Sequence, residues 1–204
     1  MHPWPMKPSV DRQTLDFYQD RADEWTAALP FAYSPQLDAF LDLLPPGARV
    51  LELGCGDGRD AERMIARGFA VDPSDGTPEM ARRAGERLGR AVPVMRFDEL
   101  AAEGQYDAVW CHTSLLHVPE AELPAILARV HRALRTGGKH WASYKGGDGG
   151  GRDDHGRFYS YIPLARLDAA YRAAGAWTEL AVSSEPGTSF GGTPTIWHAV
   201  LACK

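Results

Sequence analysis

The segment Val-Leu-Glu-Leu-Gly-Cys-Gly-Asp-Gly at residues 50–58 constrains this chain more than any other. An apolar run the length of a buried strand leads straight into Gly54, Gly56 and Gly58. A backbone without Cβ atoms reaches left-handed conformations there and comes close to a ligand. Ala61, Met64 and Ile65 then supply a helix face that ends at Gly68, so the unit reads as strand, glycine turn, helix. A dinucleotide turn of the form G-x-G-x-x-G requires glycine at position 59, where Arg59 stands, and a triphosphate loop requires Gly-Lys-Ser or Gly-Lys-Thr, which is missing.

The same alternation continues along the chain. Strands are expected at residues 49–54, 69–73, 92–97, 106–112 and 139–144. A helix capped by Thr77 and Pro78 falls between the second and third, and one striped by Leu123, Ile126, Leu127, Val130 and Leu134 between the fourth and fifth. Helical crossovers imply right-handed connections and a parallel sheet covered on both faces. After a helix carrying Leu164, Leu167 and Tyr171, strand-like runs at 177–183 and 195–203 have only a glycine- and proline-bearing connection between them, so they form an antiparallel pair. The expected class is α/β, a doubly wound, mostly parallel seven-stranded sheet with an antiparallel C-terminal edge hairpin. Ahead of it, Leu15, Tyr18, Ala22 and Trp25 mark one amphipathic helix, and Leu37, Phe40, Leu41 and Leu44 mark a second that Ser34 caps. With 204 residues, 44% hydrophobic and 24% charged, the chain is expected to be one domain, residues 1–45 forming a helical lid and 46–204 the α/β core.

A formal charge of −5 argues against a dedicated nucleic-acid binder. No apolar run reaches membrane-spanning length, and residues 1–10, with three prolines, lack the apolar stretch of a signal peptide. Cys55, Cys111 and Cys203 form no C-x-x-C pair, so neither a disulfide framework nor a zinc knuckle is supported. A cytoplasmic location is expected, with no membrane partner.

Glu52 to Gly58 reads E-x-G-x-G-x-G, and Asp75 follows Gly54 by twenty-one positions, at the end of the second strand. An acid there takes both ribose hydroxyls of a nucleoside. Residues 106–118, Tyr-Asp-Ala-Val-Trp-Cys-His-Thr-Ser-Leu-Leu-His-Val, end the fourth strand. In these motifs, from about Thr14 onward, the chain resembles the class I S-adenosylmethionine-dependent methyltransferases. The resemblance implies S-adenosyl-L-methionine as cofactor and S-adenosyl-L-homocysteine as product. It places Glu52, Gly54, Cys55, Gly56 and Gly58 in the first motif and Asp75 at the ribose. Gly76, Thr77, Met80, Phe97 and Asp98 border the adenine, Cys111 and His112 the sulfonium side, and Tyr18 belongs to the lid. The short run Gly-Arg-Phe-Tyr-Ser-Tyr at residues 156–161 is similar to a branch that includes tellurite-resistance-type and wobble-uridine tRNA methyltransferases.

His117 and His112 are the candidate general bases, since a histidine titrates near neutrality and both follow the strand that borders the reacting methyl. Five positions apart, they lack the spacing of a helical zinc site, and no metal is expected. Residues 146–151 read as a flexible lid or a surface loop, and Arg82, Arg83, Arg87 and Arg90 as a solvated helix face. The expected function is methyl transfer to an unidentified small-molecule acceptor. A tRNA-modifying methyltransferase, a non-catalytic cofactor-binding protein and a nicotinamide-dependent dehydrogenase stay open as alternatives, and the oligomeric state is not read.

Overall fold

The computed structural model describes residues 11–29, 32–189 and 192–204; the reading of residues 1–10 lies outside these. Strand β1 (Arg49–Leu53) lies between β2 (Ala70–Ser74) and β3 (Tyr106–Cys111), and pairs with both in parallel. Next to β3 runs β4 (Leu134–Lys145), also parallel. The remaining strands are β5 (Gly149–Arg152), β6 (Phe158–Tyr161), β7 (Glu179–Thr188) and β8 (Pro194–Cys203). Antiparallel β8 takes the far side of β4 from Lys139 to Lys145, and β7 closes that edge by pairing with β8. The expected C-terminal hairpin is therefore present at the sheet edge and longer than its apolar runs.

Two features depart from the seven strands read in the sequence. Residues 92–97 make one parallel bridge, Asp75 with Val94, before a single 3-10 turn at Phe97–Glu99. Pro93 has no N–H to extend a ladder, and Val94 is half exposed, so little apolar burial favours a strand. Conversely, the glycine tract expected to be a loop forms β5, paired antiparallel with β6. A Cβ at Gly150 would lie 2.9 Å from Phe158 Cζ, so the ring of the facing strand occupies the space that glycine vacates. Past Cys111, where β3 ends opposite Ala142, β4 continues alone on that side until Tyr161 of β6 joins it at Lys145. The sheet thus has eight strands.

Alternation along β1 sends Val50 to one layer and Leu51 and Leu53 to the other. On the first side, α3 (Leu37–Leu41) and α4 (Arg59–Ala66) bury Leu37, Phe40, Ala61 and Met64 against Trp110 and Trp141. Opposite them, α6 (Leu123–Ala133) and α7 (Leu164–Ala174) pack Leu127, Val130, Leu167 and Tyr171 on Val109, Ala142 and Val200. Helix α5 (Pro78–Leu88) begins with Thr77 as its N-cap, as read from the sequence. The single N-terminal helix expected across residues 15–25 is two, α1 (Arg12–Asp20) and α2 (Ala22–Ala27), joined at Arg21, whose backbone leaves the helical region. Nor does Ser34 cap α3; its N–H and hydroxyl donate to Asp60 at 2.7 and 2.6 Å, a charge-assisted pairing that outweighs a neutral cap.

Within the α6–α7 layer a buried polar chain has a defined direction. Val109 O only accepts, so His140 Nδ1 donates to it at 3.0 Å. Nε2 then accepts from the Tyr171 hydroxyl, which accepts from Tyr144, both at 2.9 Å. Burial holds His140 at about 4, below the unfolded value of 6.5. The unfolded chain therefore binds the extra proton first, and stability present above pH 6.5 is lost as pH falls toward 4. Tyr171→Phe leaves His140 Nε2 and the Tyr144 hydroxyl without partners, and is expected to cost about 1–3 kcal/mol in urea denaturation at pH 7. A loss below about 0.5 kcal/mol would contradict the assigned chain of donors.

Candidate active site

At the carboxyl ends of β1, β2 and β3, where open α/β sheets receive ligands, lies a cavity of about 200 Å³. Its floor is the glycine turn. Gly54 has a φ of 76°, and a Cβ there would sit 2.6 Å from Ser114 Cβ, so the β1 and β3 ends meet at a distance no other residue allows. A Cβ at Gly56 would meet nothing within 4 Å, which leaves its backbone open to the cavity. Gly58 does not line the cavity; it begins α4 and lets Ala84 of α5 approach to 3.1 Å of a would-be Cβ.

Asp75 ties this floor together. One carboxylate oxygen accepts from Gly56 N at 3.0 Å; the other accepts from Thr77 N at 2.9 Å and from its hydroxyl at 3.1 Å. Burial raises the Asp75 carboxyl, and these donors oppose the shift. Gly76, Thr77, Met80, Phe97 and Arg96 continue the wall. Asp98 is turned away, paired with Arg96 at 3.1 Å.

Four acids surround the cavity: Glu52, Asp57, Asp60 and Asp75, all buried. Asp57 is neutralised by Arg59 and Arg87 at 3.0 and 2.9 Å. Among the described residues Asp60 takes neutral donors alone, Ser34 and the Trp110 indole. Glu52 Oε2 is buried with no hydrogen-bond partner, a position unmatched among the described side chains. Burial pushes the Glu52 carboxyl well above its ordinary range, and Asp60, Asp75 and Asp57 add repulsion. Such a site is short of positive charge.

The far wall is the β3 end. His112 stacks on Trp110 and Trp141 at 6.0 and 5.6 Å and lines the cavity; burial lowers its basicity and Asp60 opposes this. Thr113, a β-branched residue at φ 50°, is held by Ser143 Oγ, which accepts its N–H at 2.9 Å, a strained conformation of the kind found at functional sites. Cys111 is wholly buried under α6, its thiol pushed up by burial, and lies outside the cavity, whereas Cys55 lines it.

His117 is also outside, but coupled to the roof. Phe158 O accepts from Nδ1 at 2.6 Å, so Nε2 accepts from the Tyr18 hydroxyl at 3.0 Å, and Arg157 donates to the same hydroxyl at 3.3 Å. Tyr18 lines the cavity with Thr14, Leu15 and Trp25. Burial lowers His117 to about 4 and raises Tyr18 to about 12. The sequence reading missed Trp25, Tyr33, Arg59, Asp60 and Thr113 of this lining; their spacing looked like ordinary helix faces and strand ends. Among the described residues no cluster of three His, Cys, Asp or Glu is placed to hold a metal. Arg82 pairs with Glu79 and Glu86, Arg83 with Asp23, and Arg87 with Glu62, while Arg90 donates to Val71 O.

Residues 50–138, from β1 into β4, match the family model described as a methyltransferase domain. They carry the glycine turn, Asp75 and His112. Over these residues the chain is similar to the class I S-adenosylmethionine-dependent methyltransferases. The ubiquinone biosynthesis O-methyltransferase of Xanthomonas oryzae is 40% identical over 114 residues, which are 52% of this chain and 46% of that protein; that of Bordetella parapertussis is 42% identical over 103 residues, 46% and 40% of the two. The chain thus spans under half the length of these curated relatives. The Burkholderia thailandensis 1,6-didemethyltoxoflavin-N1-methyltransferase structure, with 1,6-didemethyltoxoflavin and S-adenosylhomocysteine bound, superposes with a TM-score of 0.72 at 26% identity, covering 93% of this chain and 84% of that one. A Haemonchus contortus phosphoethanolamine N-methyltransferase shares the fold, with a TM-score of 0.75 at 17% identity, covering 96% of this chain and 60% of its own.

The cavity of this methyltransferase domain fits the family's cofactor. S-adenosylmethionine carries a sulfonium and an ammonium, and the site offers an unpartnered buried carboxylate oxygen and acids without cations. Because Glu52 has its folded-state pKa raised above the ordinary 4.5, its contribution to stability is present at low pH and is lost as pH rises from there. Glu52→Gln is therefore expected to raise stability by about 1 kcal/mol at pH 7 while weakening S-adenosylmethionine binding at least tenfold. Denaturation and calorimetry on the same variant check both, and a stability loss would contradict the electrostatic strain assigned here.

Proposed function

We propose that the protein transfers a methyl group from S-adenosylmethionine to a small-molecule acceptor. The observation that carries this reading is the acid-rich cavity, with its orphaned Glu52 oxygen, on a glycine floor open at Gly56. In this reading the turn from Gly54 to Gly56 and Glu52 hold the amino-acid end of the cofactor, Asp75 the ribose, and Met80, Phe97 and Gly76 the base. The described residues of 1–45 act as the lid and those of 46–204 as the core. When bound, the cofactor supplies a methyl group activated by a positively charged sulfur.

The chain's own part is positioning and water exclusion. Trp25 and Tyr18 roof the cavity, and His112, packed against the stacked indoles of Trp110 and Trp141, forms its inner wall. For an acceptor that loses a proton, the Tyr18 hydroxyl is the group within reach, and His117 Nε2 behind it accepts. His117 acts through Tyr18 in this arrangement, and its low basicity favours acceptors that are already acidic. The 1,6-didemethyltoxoflavin bound to the Burkholderia enzyme, and the ubiquinone biosynthesis named for the curated relatives, support the small-molecule class.

Calorimetric titration with S-adenosylmethionine, S-adenosylhomocysteine and NAD tests the reading: micromolar binding of the first two and none of the third is expected. Binding of NAD alone would overturn it. Asp75→Ala removes the acceptor of three hydrogen bonds and is expected to weaken S-adenosylmethionine binding by roughly 1.5–3 kcal/mol; unchanged affinity would remove Asp75 from the site.

A further inference from the structure

Beyond the family-matched residues, β4 carries a second charged feature on the same side of the sheet. Trp141, Ser143 and Lys145 alternate onto one face. Trp141 stacks on His112 and Ser143 holds Thr113, both of them cavity residues, so Lys145 continues this face at the strand's carboxyl end. It is 7% exposed. Its ammonium lies 3.6 Å from the Tyr159 ring centre and 6.0 Å from those of Tyr161 and Trp197. Among the described residues it has no hydrogen bond and no carboxylate partner.

The neighbouring charges do not compensate it. Arg157, stacked between Phe17 and Trp25, is paired with Asp153 at 2.6 Å, so the nearby carboxylate is already engaged. His117, in ring contact with Tyr159 at 4.7 Å, is neutral near pH 7. A buried ammonium facing π-systems and a second cation, with the nearby Asp153 bound to that cation, is costly, and π faces return only part of its hydration. Burial and Arg157 accordingly pull Lys145 down to about 8. Lys145 does not line the cavity; it lies behind its roof, where Tyr159 contacts His117 and the cavity residue Tyr18 bonds both His117 and Arg157, so two regions of opposite sign adjoin there. The acidic half suits a cationic cofactor; the Lys145 half lacks one negative charge.

We infer that Lys145 receives an anionic group of the acceptor, so that the protein's acceptors are small molecules bearing a carboxylate or similar ionised oxygen group, seated against Tyr159, Tyr161 and Trp197. This rests on the methyltransferase reading and names its substrate class. Ionised oxygen recommends itself over a cation or a neutral ring because only it supplies both the missing charge and the acceptors for three unmade N–H bonds.

Benzoate and benzamide, matched in shape and differing in charge, are the probes. Each is titrated by calorimetry and tryptophan fluorescence into the full-length protein, with and without saturating S-adenosylhomocysteine. Benzoate is expected to bind at least tenfold tighter than benzamide; Lys145→Met should abolish that preference and Lys145→Arg retain it. Equal affinity of the wild-type protein for the two probes, absence of binding by both included, overturns the proposal, as does a preference that survives Lys145→Met. The wild-type comparison decides even if the Met variant does not fold. Loss of S-adenosylhomocysteine binding with the benzoate preference intact would tell against the methyltransferase reading and leave the anion site standing.

Discussion

One carboxylate, that of Asp75, fastens the two turns on which the cavity is built. By accepting from Gly56 on one side and Thr77 on the other, it fixes the end of β2 to the glycine turn after β1 and to the start of α5. Backbone amides that would otherwise point into the cavity unpaired are satisfied by a group that is itself buried. The rest of the floor follows from this strap: Gly54 packs on Ser114, Ser114 donates to Leu53 O, and the strained Thr113 beside it is held from β4 by Ser143.

Electrostatics divides the space above that floor. Among the described residues, Glu52, Asp60 and Asp75 on the β1–β2 side have no cation partner, and the Lys145 ammonium at the end of β4, outside the cavity lining, has no carboxylate partner, with an aromatic layer of Tyr18, His117 and Tyr159 between them. Low dielectric makes each half strongly selective for the sign it lacks. The cost is local instability, visible in the raised Glu52 carboxyl and the lowered Lys145 ammonium, as is common where a site is shaped for charged ligands.

Much of the scaffold was readable because its signals are local. The 3.6-residue period marked α6, a short buried run ahead of the glycines marked β1, Thr77-Pro78 marked the start of α5, and Arg59 in place of glycine argued against the dinucleotide turn. Elements decided by a distant partner were not readable. Residues 92–97 look like a strand, but Pro93 and the exposed Val94 leave only a bridge at the edge. The glycine tract at 149–152 looks like a loop, yet the Phe158 ring makes it a strand. Ser34 looks like a cap until Asp60, twenty-six residues on, claims it.

What the sequence by itself determined was the α/β class, the glycine turn and the acid that follows it, because spacing along one chain fixes which groups share a turn. Tertiary structure alone decided that Glu52 Oε2 is orphaned, that His117 bonds the cavity residue Tyr18, and that Lys145 is buried without a carboxylate partner among the described residues. Each of these depends on what approaches from elsewhere in the chain, Asp60 and Asp57 in one case, Phe158 and Tyr159 in the others. Burial and pairing are properties of the assembled neighbourhood, and no periodicity along the chain encodes them.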